Sequence, residues 1–409
     1  MVRVVNFAVR YSANVGDGLI ADCLSHAMTR LAPGLEMVSV DLAGRSRHGE
    51  ATVRGRGMKL RVLNALPAPV RARAVELVLG RFLDRVGPRW RAALGGADLA
   101  VFGGGQIFSD ADLNFPLKIA RAAGLCASAG VPMAVFAAGV ARNWSPRGRA
   151  LFGTVAQGDL RHVALRDGFS REAWSAQMGG AGPHPEICRD PGLLAASCYG
   201  RPAPGAEPGP VGICITDPAV LTYHADMAVA GGARADALLA ATALALVARG
   251  HRVRLFCNGA VEDREALARL AAHPEVAARV AGGWLDIAPP PATPAELAGI
   301  IAPMKAVLAH RLHATIVAHA YAIPAVGLSW DRKLVSFFAS VGRGAHAVQG
   351  PAGAQDLADL VLRAIAEGID PAAHAVHLDE TWAGVARMLA VTGLAARPPG
   401  LRAVSGAGA

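Results

Sequence analysis

Short apolar runs of strand length alternate with segments of helical period along most of this chain. That alternation points to parallel sheets built from βαβ units. Val2 to Val9 reads as a strand, and Ile20, Cys23, Leu24, Ala27 and Leu31 then fall at helical spacing. Ala97 to Phe102, Val131 to Ala137 and Val163 to Arg166 read as further strands. The stretch 201–210, RPAPGAEPGP, can continue neither a helix nor a central strand. Beyond it the alternation resumes, with strands at Val211 to Ile215, Val253 to Cys257, Ala306 to Ala309 and Ala325 to Leu328. Helices are expected between them at Ala235 to Ala248, Glu265 to Ala272 and Thr315 to Ala322. At 409 residues the chain is too long for one core and fits two domains. The expected division is 1–202, a linker at 203–210, a second unit at 211–398 and a frayed Gly/Ala-rich tail at 399–409. The expected fold class is α/β, two Rossmann-like halves facing a cleft, with ligands at the C-terminal ends of the strands.

Composition narrows the class. A hydrophobic share of 53% with 18% charged residues excludes global disorder. The first residues run directly into a strand pattern, and the apolar run Ala237 to Ala248 is too short to span a bilayer. The expectation is therefore a soluble, cytoplasmic protein. Cys23, Cys126, Cys188, Cys198, Cys214 and Cys257 are scattered without a C-x-x-C pair, which favours small buried thiols over a metal site.

The net charge of +9 is unevenly placed: between Asp41 and Arg91, twelve Lys or Arg residues face four acids. Within that basic insertion (41–91), Val75, Val78, Leu79, Phe82, Leu83 and Val86 share a helical face, with Arg71, Arg81 and Arg85 at its edges or opposite. The first reading is an ordinary surface helix packed on its own sheet. The second is a face that rests on an anionic membrane at the inner side of the cytoplasmic membrane. Nucleic acid is not expected, since no aromatic-interleaved basic motif is present.

Five segments carry chemistry. Asn14-Val15-Gly16-Asp17-Gly18 joins the first strand to the first helix, where Gly16 admits close backbone approach and Asp17 can cap the helix or meet a hydroxyl. Gly103-Gly104-Gly105 follows a strand end, a place for close approach by a ligand or another chain segment. Arg166-Asp167-Gly168-Phe169-Ser170 sets a cation at a strand end and a cap at a helix start. Arg311-Leu312-His313 stands between an apolar run and a helix, where unpaired N–H groups and the helix dipole favour an anion. A permanent cation and an imidazole beside those N–H groups could hold a phosphate and move a proton. Asp331 and Lys333 follow the next strand. His310 and His313 are three residues apart, but no carboxylate or thiol stands near at ligand spacing, so no metal is expected. His319 reads as a packed or surface residue of the following helix.

Taken in order, Asn14-x-Gly16-Asp17, Gly103-Gly104-Gly105, Arg166-Asp167-x-x-Ser170, Asp190-Pro191, and Arg311-x-His313 through Pro324 to Asp331-x-Lys333 resemble the polysaccharide pyruvyl transferase family. The resemblance implies a two-domain fold similar to GT-B glycosyltransferases. It also implies transfer of the pyruvyl unit of phosphoenolpyruvate onto two sugar hydroxyls as a cyclic ketal, with phosphate released and no cofactor. On that basis Arg311, Leu312, Arg166, Lys333, Asn14, Gly16, Gly103, Gly104 and Gly105 are expected to bind substrate. His313 is expected as the general acid, with Lys333 in reserve as cation or acid, and Asp17 or Asp167 as acceptor of the hydroxyl proton. The implied partners are phosphoenolpyruvate and a saccharide acceptor, lipid-linked if the protein works at the membrane. Ala138-Gly139-Val140-Ala141-Arg142-Asn143 departs from the family's Gly-x-Gly-Pro-like turn, and the stretch Arg45 to Arg61 matches no family motif. Two other functions remain open: a GT-B-type glycosyltransferase using a nucleotide sugar, and a non-catalytic glycan-binding relative.

Overall fold

The computed structural model of the protein describes residues 2–49, 68–203, 209–224 and 235–394. The tail at 399–409, the middle of the expected linker and residues 50–67 of the basic insertion lie outside them. The strands are β1 (Arg3–Ala8), β2 (Glu36–Asp41), β3 (Leu99–Gly103), β4 (Met133–Ala138), β5 (Leu160–Leu165) and β6 (Glu186–Ile187), then β7 (Val211–Cys214), β8 (Val253–Phe256), β9 (Leu285–Ile287), β10 (Ala306–Ala309), β11 (Ala325–Ser329) and β12 (Ala347–Gln349). They form two six-stranded sheets, ordered β2-β1-β3-β4-β5-β6 and β12-β11-β10-β7-β8-β9, with every pairing parallel. The central strands β3, β4, β7 and β10 are buried along their whole length, as parallel strands covered on both faces must be.

Strand order reverses beside β1 in the first sheet and beside β7 in the second. Each reversal opens a crevice at the C-terminal strand ends, because the helices leave toward opposite faces there. The crevices face one another. Val15 N–H donates to the Asn258 carbonyl at 3.0 Å, and Gly16 lies against the His313 ring. One hydrophobic cluster runs through both halves, including Leu19 and Leu24 from the first and Leu297, Ile301 and Val317 from the second. The last described helix, Pro371–Val391, returns to the first half and buries Val385, Met388 and Leu389 in that same cluster.

The basic helix, Ala68–Leu94, buries Leu83, Val86, Trp90 and Leu94 at helical spacing. Val78, expected on the apolar face, stands five residues before Leu83, off that stripe, and is 60% exposed beside Leu77 at 57%. No described helix is long and apolar enough to cross a membrane. All six cysteines are free thiols, five of them buried. His319 is a packed residue, its Nε2 3.1 Å from Nδ1 of His377.

Candidate active site

Three strand ends and three helix starts converge where the halves meet. From the first half come Asp17 in the opening turn of helix Val15–Leu31, Gly105 and Gln106 after β3, Gly139 after β4 and Arg166 after β5. From the second come Leu312 and His313 in the first turn of helix Leu312–Ala320, and Lys333 in the first turn of helix Arg332–Ser340. Arg166, Asp167, Asp190, Leu312 and Lys333 line a cleft of about 370 Å³ that continues toward Arg189, Phe337 and Glu380.

The contact that organises the site is His313 against Asp17, with Nδ1 3.9 Å from Oδ1. It depends on Gly16: a Cβ there would lie 2.5 Å from both Cβ and Nδ1 of His313. Burial pushes the His313 imidazole down to about 3, and the positive charges of Arg166, Lys333 and Arg311 push the same way. Asp17 moves oppositely. Burial raises its carboxyl to about 6, against the pull of a Ser12 hydrogen bond and of Arg311, Lys333 and Arg45. His313 Nε2 is buried and has no hydrogen-bond partner.

The cations are held by neighbours. Arg166 donates to Gln106 Oε1 at 3.0 Å and to Asp167 Oδ2 at 3.3 Å, and a side chain at position 139 would strike its guanidinium. The glycine in the divergent turn after β4 thus gives Arg166 its room. Lys333 Nζ sits 2.8 Å from Asp331 Oδ2, while the other oxygen of Asp331 caps the helix at Leu334. Arg311 differs from the expectation of a substrate-facing fork. Its Nε and Nη2 each donate at 2.8 Å to the fully buried carboxylate of Asp263.

The expected residues therefore converge, but not all on the cleft: Arg166, Leu312 and Lys333 line it, while Asp17 and His313 meet beside it, where the halves join. Asn14 precedes the first helix with its Oδ1 buried and without a partner, and makes no side-chain cap. Added side chains at Gly103 and Gly104 would meet the Phe136 carbonyl at 3.1 Å and Ile20 at 2.8 Å, so chain packing accounts for these two. Gly105 alone of the three borders Asp17: a Cβ added there would lie 3.7 Å from Asp17 Oδ1. Sequence reasoning gave no site role to Asp263, to Gln106 at the end of the glycine run, or to Arg45 of the basic insertion. Asp263 carries the ordinary signature of an acid in a helix's first turn, and nothing local names its partner. Among the described residues, no group of His, Cys, Asp and Glu could hold a metal ion.

The fold is shared with sugar-nucleotide enzymes. The chain is similar to MnaA of S. aureus in a co-structure with UDP, at 13% identity over 98% of this chain and 99% of that one, with a TM-score of 0.51. It is also similar to UDP-GlcNAc 2-epimerase of Methanocaldococcus jannaschii, at 8% identity over 90% and 92%, with a TM-score of 0.52. At such identities the likeness is one of fold, and that fold is GT-B-like. No curated protein matches the sequence. Residues 14–332 match the model of the family described as polysaccharide pyruvyl transferase.

Proposed function

We propose that this chain, which belongs to the polysaccharide pyruvyl transferase family, moves the pyruvyl unit of phosphoenolpyruvate onto two hydroxyls of a saccharide, forming a cyclic ketal and releasing phosphate. The observation that carries this reading is the His313–Asp17 pair at the junction of the halves, in the field of Arg166 and Lys333. Phosphoenolpyruvate bears a phosphate and a carboxylate, so its site needs cations and N–H donors together. Arg166 and Lys333 supply the charge, and the first turn of helix Leu312–Ala320 supplies backbone donors. Gly16 sets the closeness of His313 to Asp17, and Gly105 borders Asp17 from the first half.

The reaction needs an acid and a base. As the first hydroxyl attacks C2, the methylene carbon C3 takes a proton; the C2–O bond to phosphate then breaks and the second hydroxyl closes the ring. Of the two hydroxyl protons given up, one is balanced by the proton gained at C3 and the other leaves with phosphate. The sequence expectation made His313 the acid and Asp17 or Asp167 the base. The protonation order of the pair supports the reverse. With its imidazole near 3, His313 is neutral at physiological pH and can accept a proton, whereas Asp17 near 6 is the group closer to holding one. An arriving trianion raises Asp17 further. In this reading Asp17 protonates C3 and His313 deprotonates the hydroxyl. The acceptor is a saccharide, lipid-linked at the inner face of the cytoplasmic membrane, with helix Ala68–Leu94 touching the anionic surface.

Calorimetry with phosphoenolpyruvate and, separately, with nucleotide sugars tests the donor. The expected result is phosphoenolpyruvate binding, with Asp17→Asn and His313→Gln binding it within a few-fold but releasing phosphate ~10²–10⁴-fold more slowly in the presence of acceptor. Binding of a nucleotide sugar alone would replace this reading with a glycosyltransferase. Binding of neither, with glycan still bound, would leave a non-catalytic relative.

A further inference from the structure

Asp17 and His313 belong to different halves, so their separation must be set by something that touches both. Beside the direct packing of Gly16 on the His313 ring, one short segment does so through hydrogen bonds to both sides. In the turn after β8, the Asn258 carbonyl accepts Val15 N–H at 3.0 Å, two residues before Asp17. In the helix that follows (Val261–Ala271), Asp263 grips Arg311, two residues before His313. The turn itself is pinned. Arg264 donates to the Gly259 carbonyl at 2.7 Å and to the Pro291 carbonyl at 3.2 Å, and Asn258 Oδ1 accepts from the Cys214 thiol at 3.4 Å. Gly259 has φ +88°, and any side chain there would lie 3.0 Å from the Ala13 carbonyl, so the turn meets the Asn14 loop at backbone distance. Asp263 also accepts the Asp217 N–H at 3.0 Å, joining the ends of β7, β8 and β10 on one carboxylate.

We propose that residues 258–264 form a brace that fixes Asp17 and His313 relative to each other, with Asp263 as a positioning residue acting through Arg311. The catalytic labels rest on the pyruvyl transfer reading; the brace itself does not. Arg311 is then a strut of the second half. Removing one partner of a buried ion pair leaves the other charge uncompensated, so the turn carrying His313 should loosen when Asp263 is changed.

The test uses the full chain and the variants Asp263→Asn, Arg311→Met and their combination. The first readout is the His313 imidazole titration by NMR, with the resonance assigned by its loss in His313→Gln. Simple electrostatics predicts that freeing the Arg311 cation in Asp263→Asn lowers the His313 midpoint further. A failed brace instead admits water to the ring and raises it, by about one unit or more. An upward shift supports the brace, and no shift or a downward one overturns it. The second readout is phosphoenolpyruvate affinity by calorimetry. Asp263→Asn and Arg311→Met should weaken it alike, by about fivefold or more, and the double variant no further, because both changes open the same clamp. A loss in Arg311→Met that Asp263→Asn lacks makes Arg311 a ligand of the substrate and overturns the strut. If the wild type does not bind phosphoenolpyruvate, the donor reading fails while the titration still decides the brace. Should Asp263→Asn not fold, Arg311→Lys keeps the cation, loses the two-pronged bond and answers the same titration.

Discussion

Replacing Gly16 by alanine tests the site with the smallest change available. The position is helical and buried, so alanine by itself would favour the folded state by ~0.5–1 kcal/mol through backbone entropy. The new methyl would lie 2.5 Å from Cβ and Nδ1 of His313 and 2.7 Å from Cγ, where ordinary contact begins at 3.4 Å. The imidazole must therefore retreat from Asp17 by on the order of 1 Å, or the halves must part. Overpacking of this kind costs ~1–3 kcal/mol, so the net loss of stability is modest. Catalysis suffers more, because a misplacement of ~1 Å is worth about 10²-fold in rate. Gly153, in helix Pro146–Gln157, is the control: a Cβ there meets nothing within 4 Å, and Gly153→Ala should be neutral or stabilising. Single-turnover phosphate release, with an acceptor that the wild type uses, measures the rate, and denaturant melts measure stability. Full turnover in Gly16→Ala would refute the view that the His313–Asp17 distance governs the chemistry.

Two further predictions concern pH and the surface. The folded protein holds the His313 proton near pH 3, the unfolded chain near 6.5, so between those values the folded state binds fewer protons and stability rises with pH. From pH 7 down to 5 this one group should remove ~2 kcal/mol, and His313→Gln should show a flatter decline of its urea midpoint over that range. Asp17, raised to about 6, works the other way: its folded state binds more protons above pH 3.8, so its contribution falls as pH rises through 6, and Asp17→Asn should steepen the acid decline. At the surface, Leu77 and Val78 are exposed on a helix that also exposes Arg73, Arg81 and Arg85. Cosedimentation with vesicles containing anionic lipid should be strong at ~50 mM salt, weaken by ~300 mM, and disappear in Leu77→Asp/Val78→Asp. Equal sedimentation with uncharged vesicles would remove the charge-based account.

How far the sequence reaches depends on how local each feature is. Strands such as Ala306–Ala309 and Met133–Ala138 were legible because a strand buried on both faces must be apolar throughout. The short edge strands Glu186–Ile187, Leu285–Ile287 and Ala347–Gln349 were not, because a strand paired on one side needs no such run. Helix Leu312–Ala320 begins three residues before its expected start at Thr315 and ends at Ala320, since Ala322 takes φ +59°. That earlier start places Leu312 and His313 inside the first turn. Asp17, Gly16, Arg166 and His313 announced themselves individually, each at the strand-to-helix junction where open α/β sheets place ligands. Their joint properties did not. Arg311 finds its carboxylate 48 residues away, and no local pattern distinguishes a fork aimed at substrate from one closed on Asp263. The opposite shifts of Asp17 and His313 are equally non-local, because burial where the halves meet raises the carboxyl and lowers the imidazole. An acid below its imidazole in pKa is the ordinary arrangement in water; narrowing or reversing that gap takes enclosure, and here each half helps to enclose the other's group.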